Sequence, residues 1–208
     1  MNKIIFLLFI LVSCSTTTDK TLTISTGHRV VKRTYYMVEG AGDVLRKTGQ
    51  ATLAIWMRPH DFSEDNQDLF DFSVGGDSLP WKSRASMTLA KNGVLMSTAR
   101  AGDKEELSRI TTVENAIRPH QWQHVALTID YTNKKMKFYV NGNPVPSAHE
   151  VYHFTQPVTA DTISNRVSIG SEDDGSEAIF KGDLADAHVE PRIMTEGEIR
   201  ELVKKTKP

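Results

Sequence analysis

The chain of 208 residues has the length of one domain and a formal net charge of −1, with 39% hydrophobic and 25% charged residues. This near-neutral balance argues against a nucleic-acid partner, because a phosphate backbone is bound through a basic patch. A globular chain of this size and hydrophobic content can bury a core without disulfides or structural metals.

The first fourteen residues have the pattern of an export signal that ends in the only cysteine of the chain. Lys3 precedes a run of nine apolar residues, Ile4 to Val12. A membrane-spanning helix needs about 20 such residues, so a run this short is typical of a signal peptide. Leu11-Val12-Ser13-Cys14 resembles the bacterial lipobox. The resemblance implies that residues 1–13 are removed and that Cys14 carries a diacylglycerol and an acylated amino terminus; the alternative is an ordinary secretory signal.

A flexible tether is predicted to follow the signal. Ser15-Thr16-Thr17-Thr18 is small and polar without apolar periodicity, as linkers are, and we assign residues 14–25 to the lipidated cysteine and its tether. In lipoproteins a residue other than Asp after the cysteine favours the outer membrane. The sequence therefore predicts an exported protein, held by its lipid in the outer membrane where the cell has one.

Residues 26–208 are predicted to form one all-β domain, because short apolar segments alternate with turn signals. The first clear strand, Ala51 to Met57, stops at Arg58-Pro59, and Phe70, Phe72 and Val74 then give a second strand one apolar face. The later predicted strands are Met87 to Ala90, Val94 to Thr98, Val125 to Ile129, Met136 to Val140, Val167 to Ile169 and Leu184 to Val189. The predicted turns are Lys91-Asn92-Gly93, Tyr131 to Lys135 and Asn141-Gly142.

One helix is predicted, close to the end of the chain. Thr195-Glu196-Gly197-Glu198 has the spacing of a capping box, in which Thr195 caps the amide of Glu198. Met194 and Ile199 are spaced for a hydrophobic staple around it. We expect about two turns, packed on the sandwich through an apolar stripe that continues to Leu202 and Val203.

Five of these segments, in this order, resemble the LamG-like, concanavalin A-like family. They are Thr52 to Pro59, Trp122 to Leu127, Phe138 to Gly142, the closing segment made of Ser168 to Gly170 and then Phe180 to Leu184, and Met194 to Ile199. The resemblance implies an antiparallel jelly-roll β-sandwich with one short C-terminal helix, in which Trp56 and Trp122 belong to the core. One departure is Ala187, where the family often has a larger apolar residue.

His149-Glu150-Val151-Tyr152-His153 matches the H-E-x-x-H spacing of zinc peptidases. In that motif both imidazoles lie on one face of a helix and bind zinc, while the Glu serves as general base. The flanking residues Pro144, Pro146 and Pro157 oppose a helix here. We therefore expect an extended, metal-free segment.

The acidic run Glu172-Asp173-Asp174-Gly175-Ser176-Glu177 matches the spacing Glu-x-Asp-x-x-Glu of sandwich glucanases. Asp, Gly and Ser between the carboxylates predict a loop rather than the strand that such catalysis requires. A solvated loop is the simplest interpretation. As a metal site the run suits calcium, with Glu172, Asp173, Asp174 and Glu177 as oxygen ligands and Asp186 nearby; no cofactor is required.

The predicted ligand contacts lie in loops at one rim of the sandwich, where recognition residues concentrate. Trp81 and Asp77 fall in a predicted long connection, and an aromatic ring there can stack on a sugar or cap the core edge. Tyr139 is the main aromatic residue expected to point outward from a strand.

These observations favour a lipid-anchored, non-catalytic module of the cell envelope that binds a glycan or an envelope or host protein. The alternatives from the sequence are an enzyme, either a zinc peptidase through His149, Glu150 and His153 or a glycan-cleaving sandwich, and a purely structural envelope protein.

Overall fold

The computed structural model folds the described chain into two antiparallel sheets and one terminal helix, which confirms the predicted all-β jelly-roll sandwich. The described residues are 22–24, 36–39, 45, 48–62, 66–72, 84–100, 106–154, 166–171 and 178–208, with 22–24, 36–39, 84 and 166 described by their backbone alone.

The first sheet has six strands. In spatial order they are β1 (Leu22–Ile24), β13 (Gly182–Glu190), β3 (Gln50–Pro59), β8 (Gln123–Asp130), β9 (Lys135–Val140) and β10 (Asn143–Pro144). The central pairing is that of β3 with β8, which runs without a bulge from Gln50 opposite Asp130 to Met57 opposite Gln123. Leu22 of β1 lies opposite Val189, so this sheet begins inside the segment assigned above to the tether.

The second sheet has seven strands. In spatial order they are β11 (Ser147–Val151), β7 (Ser108–Thr112), β6 (Val94–Arg100), β5 (Arg84–Ala90), β4 (Asn66–Asp71), β12 (Arg166–Ile169) and β2 (Tyr36–Glu39). A bulge in β4 lies between Asp68 and Phe70. Because a bulge shifts the alternation of the strand by one residue, Leu69 and Phe70 both point into the core.

The main core lies between the two sheets and uses alternate residues of each strand. Leu53, Ile55 and Met57 of β3 face inward, so Ala54 and Trp56 between them face outward. Ala187 of β13 is buried in this core as well, where its small side chain suits the bulge that follows Ala185.

Two tight turns explain two of the predicted hairpins. Asn92 and Gly93 both have positive φ in the turn between β5 and β6. Asn141 and Gly142 also have positive φ, and they form the two-residue turn between Val140 and Asn143. Asn and Gly tolerate this left-handed conformation better than other residues, so the sequence signal and the backbone agree.

Helix α1 (Glu196–Thr206) begins at the predicted capping box: the Thr195 hydroxyl accepts from the Glu198 amide, and the Glu198 carboxylate accepts from the Thr195 amide. The helix has 11 residues, about three turns rather than the two expected. Met194 and Ile199 are both buried in a small second cluster with Ala54 and Ala126 of the six-stranded sheet. Within the described part of the chain, no helix has the length and apolarity needed to span a membrane.

Replacing Gly142 by alanine should destabilise the protein by about 1–3 kcal/mol. Its φ is +78°, and an added Cβ would lie 2.8 Å from Cγ of Arg200 on α1. Urea unfolding measures the change. Gly197→Ala is the matched control, because its Cβ would meet nothing closer than 3.9 Å; in a helix this exchange should be neutral or stabilise by up to about 1 kcal/mol. Equal effects of the two exchanges would contradict this packing.

Candidate functional site

Several residues singled out from the sequence lie outside the described residues. These are Cys14, Asp77, Trp81 and the acidic run Glu172, Asp173, Asp174 and Glu177. Their predicted roles in lipidation, ligand binding and calcium binding therefore stay predictions. Asp186 is described, and it has a positive φ of 47° within the bulge of β13.

The H-E-x-x-H segment is extended, as the prolines predict. His149 and Glu150 lie in β11 opposite Thr111 and Ile110 respectively, and neighbouring strand residues point to opposite faces. His153 follows the strand, with Nδ1 3.4 Å from a carboxylate oxygen of Glu106. The arrangement required for a zinc peptidase is therefore not formed. Among the described residues, no three His, Cys, Asp or Glu side chains are grouped so that they could hold a metal ion.

Tyr139 is a correction to the sequence interpretation. It lies on the outer face of its sheet, as expected, but α1 packs over that face and leaves the residue only 6% exposed. Ala126 lies directly opposite it, and Ile199 of the helix belongs to the same cluster. The ring is a packing residue, because the sequence does not show which strand face a terminal helix covers.

The two tryptophans of the resemblance have different surroundings. Trp56 is buried, but it lies beneath α1 rather than between the sheets, and its indole N–H donates to the Thr206 hydroxyl at 2.9 Å. Trp122 is half-buried, just before the start of β8, with the Arg58 guanidinium 5.3 Å from its ring centroid. The expectation of a core position is therefore wrong for Trp122, whose place at a strand end keeps it at the surface.

The seven-stranded sheet carries an unusually polar outer face, which we call the polar face. It consists of two rows of side chains that run across the strands in direct register. The first row is Ser168, Asp71, Ser86, Thr98, Arg109 and Val151. The second row is Asp68, Thr88, Met96, Thr111 and His149. The residues that alternate with them, such as Met87, Leu95 and Ile110, point into the core, so both rows face away from it.

The middle of the polar face is buried and internally hydrogen-bonded. The Thr88 hydroxyl donates to Asp68 Oδ1 at 2.6 Å, a short charge-assisted bond within the second row. In the first row the hydroxyls of Ser86 and Thr98 are 3.0 Å apart. These four side chains are each 5% exposed or less. Buried polar groups are tolerated when they are paired, so this part of the face is fixed in position.

The β7 and β11 end of the polar face is open. Arg109 and His149 are exposed, and Thr111 and Val151 are half-buried. Arg109 makes no ion pair with any described residue. Arg100, two residues beyond Thr98, is half-buried on the same face. The face therefore changes from carboxylates on β4 to cationic or protonatable groups on β7 and β11, with hydroxyls between them.

This arrangement suits a ligand rich in hydroxyl groups. Ser and Thr hydroxyls both donate and accept hydrogen bonds, carboxylates accept, and guanidinium groups only donate. The rows named above contain no Phe, Tyr or Trp, so recognition here would depend mainly on hydrogen bonds and charge. The sequence did not indicate this face, because cross-strand register becomes visible only after folding.

Comparison with known proteins identifies the fold family. The family described as the concanavalin A-like lectin/glucanases superfamily matches residues 32–200. No curated protein sequence matches the chain.

The similar solved structures are largely binding domains. The CBM40 module of the Ruminococcus gnavus IT-sialidase superposes with a TM-score of 0.66 at 17% identity, covering 88% of this chain and 98% of that chain. The same module bound to α2,3-sialyllactose gives 0.59 at 19% identity, covering 74% and 82%. The binding domain of botulinum neurotoxin DC, in complex with rat synaptotagmin II, gives 0.59 at 13% identity, covering 90% and 46%. At these identities the likeness shows the fold alone.

Thr88→Val should lower the free energy of unfolding by about 1.5–3 kcal/mol, because it removes a hydrogen bond to a buried carboxylate, that of Asp68. Urea unfolding of the purified protein measures the change. Thr111→Val is the matched control: it makes the same exchange in the same row at a half-buried position, and should stay within about 0.5 kcal/mol of the parent. A Thr88 variant as stable as the control would contradict a fixed polar face.

Proposed function

We propose that this chain, which belongs to the concanavalin A-like lectin/glucanases superfamily, is a lipid-anchored module that binds a glycan at the open β7 and β11 end of its polar face without catalysis. The observation that supports this most directly is the exposure of Arg109 and His149 on the neighbouring strands β7 and β11, at the end of two registered rows of polar side chains. A binding role in general is in keeping with the similar structures, which include a carbohydrate-binding module and a receptor-binding toxin domain.

The open end of the polar face favours an acidic sugar. The Arg109 guanidinium is exposed, and its planar donors match a carboxylate better than a neutral hydroxyl. His149 lies one strand further out, in the second row, and adds positive charge when it is protonated. The sialyllactose bound by the Ruminococcus gnavus module is a sugar of this acidic class, which makes it a natural probe.

A rim site is the competing location. The sequence predicts a connecting loop at Trp81 and Asp77, and an aromatic ring in such a loop can stack on a glycan. Because Tyr139 is buried beneath α1, it is no longer a candidate contact. The two locations predict different sensitive residues, so one set of variants separates them.

Membrane attachment through Cys14 would make weak binding sufficient. A few exposed polar contacts give modest affinity to one copy, whereas many copies on one membrane bind a repetitive glycan through avidity. The outer membrane, in cells that have one, is the proposed location. Two or more acyl chains hold a protein on a bilayer where one chain binds only marginally.

Arg109→Ala should weaken glycan binding about tenfold, because the exposed end of the polar face loses its charge-assisted donor. The measurement is a glycan array with the full chain in detergent, followed by calorimetry with the best acidic glycan. Arg118→Ala is the matched control: the residue is also an exposed arginine but lies in the turn before β8, so affinity should not change.

The variant Trp81→Ala, measured in the same assay, distinguishes a binding site at the rim from a binding site on the polar face. Loss of binding in this variant, with Arg109→Ala unchanged, would move the site to the rim and contradict the polar face. If no glycan binds but an envelope or host protein does, the function is protein recognition instead.

Cys14→Ser should abolish incorporation of a labelled fatty acid and move the protein from the membrane to the soluble fraction. No other cysteine is present to carry the thioether. The measurement is metabolic labelling in a bacterial host followed by fractionation, and Ser13→Ala is the control because it leaves the cysteine in place. Label that persists in the Cys14 variant would disprove lipidation at this residue.

A further inference from the structure

Two histidines are buried on the outer face of the six-stranded sheet, which is the face on which helix α1 packs. His124 of β8 lies opposite Trp56, and His188 of β13 lies opposite Ala54. Trp56 and Ala54 alternate on β3, between the two histidine strands. The imidazole of His124 meets the Trp56 ring edge-on, with centroids 5.4 Å apart. We call His124 and His188 the histidine pair.

The histidine pair lacks the hydrogen bonds that buried imidazoles normally make. His124 is fully buried, and neither of its ring nitrogens has a hydrogen-bond partner; the buried Nε2 of His188 has none either. A neutral imidazole can remain in such a place, whereas an imidazolium would leave its charge and N–H groups unpaired in an apolar site. Proton uptake is therefore incompatible with this packing.

Helix α1 packs on the outer face of the six-stranded sheet and contributes no residue to the main core between the sheets. Its buried contacts form a separate small cluster: Ala54, Ala126, Tyr139, Met194 and Ile199. Beside the histidine pair, the Trp56 indole donates a hydrogen bond to Thr206 in the last turn, and Ala54 belongs to the helix cluster. The segment before the helix is attached to β3 by its own hydrogen bonds. The Thr52 hydroxyl donates to the carbonyl oxygen of Arg192 and accepts from the amide of Met194. The helix can thus leave the sheet without opening the core between the sheets.

We propose that the histidine pair makes α1 an acid-sensitive cover, held on the sheet at neutral pH and released when the rings take up protons. Release would uncover Trp56 and Tyr139 on the sheet face. This inference concerns the opposite sheet from the polar face and does not depend on the proposed function.

The direction of the pH effect follows from linkage. Burial, and then the charge of His188, lower the pKa of His124 to about 3 in the folded protein. Burial also lowers the pKa of His188, more than Glu190 and Asp186 raise it. Once α1 leaves, both rings regain an ordinary pKa near 6.5. Below pH 6.5 the released state therefore binds more protons, so stability of the docked helix is lost as the pH falls.

Other charged groups also lie near the cover. On β13 they are Asp186 and Glu190, which attract the proton. On α1, Glu196 pairs with Arg200 and Glu201 with Lys204. Glu198 bonds Arg192 and Thr195, which lower its pKa to about 2. On β9, Lys137 lies 5.2 Å from the Tyr139 ring centroid. Carboxylates and lysines keep their charge between pH 7 and 5, so this window isolates the histidines.

The test is hydrogen exchange of the full chain in detergent at pH 7 and pH 5, corrected for the intrinsic exchange rate. For a ring whose pKa rises to 6.5 on release, the release constant should increase about 25-fold over this interval, and up to about 600-fold for two such rings. Protection of amides in α1 should fall by a factor in this range, while the β5–β6 hairpin, Arg84 to Arg100, stays protected. Unchanged protection of α1, or equal loss in both segments, would overturn the proposal.

Variants assign the effect to the histidine pair. The double variant His124→Phe with His188→Gln keeps side chains of similar size that do not titrate, so protection of α1 should no longer depend on pH. His149→Gln is the matched control, because His149 is exposed on the other sheet and the full response should remain. If the double variant fails to fold, His188→Gln alone should reduce the response toward the single-ring value. A full response in any folded variant that lacks a member of the pair would overturn its assignment to that residue.

Discussion

Burial of β8 on both of its faces is the constraint on which the other features of the six-stranded sheet depend. All eight of its residues are buried, with Leu127 among those packed against the other sheet and Ala126 facing outward under α1. A strand in the middle of a sandwich normally has one face against the core and the other toward solvent. Here part of the outer face is covered by α1, whose cluster includes Ala126 of β8 and Ala54 of β3. The small residues Ala54 and Ala126, in direct register, leave room for a helix to approach that face closely.

The seven-stranded sheet differs from the six-stranded sheet in the chemistry of its outer face. Its inner face is as apolar as that of its partner, but its outer face carries the carboxylates of Asp68 and Asp71 and a series of hydroxyls. Hydroxyls and carboxylates on neighbouring strands satisfy one another, as the bond from Thr88 to Asp68 shows. The bulge in β4 makes this possible, because residues three apart would otherwise point to opposite faces. Chemical asymmetry between the two sheets therefore separates a packing face from a candidate binding face.

Local signals in the sequence predicted what depends on local physics. Asn-Gly turns, the capping box at Thr195 and the alternation in β8 each need only a few neighbouring residues, and the structure contains all of them. Features that depend on tertiary contacts were missed. Tyr139 has the pattern of an exposed strand residue until a helix 60 positions later covers it. The polar face was missed for the same reason, since its two rows combine residues of six strands whose alignment is set by the folded sheet.

Two kinds of buried polar group in this fold have opposite mechanical consequences. On the polar face, Thr88 and Asp68 are paired within the sheet, so moving either one breaks a bond and the surface stays rigid; rigidity reduces the entropy lost when a ligand binds. Beneath α1, the nitrogens of His124 have no partner, so water competes for them whenever the helix moves away. Paired polar groups therefore favour the one conformation in which their hydrogen bonds form. Unpaired buried groups lower the free-energy difference between the docked and the released conformation of the helix. By this argument a rigid face and a releasable cover can belong to one small domain, because the apolar core between the sheets keeps them mechanically separate.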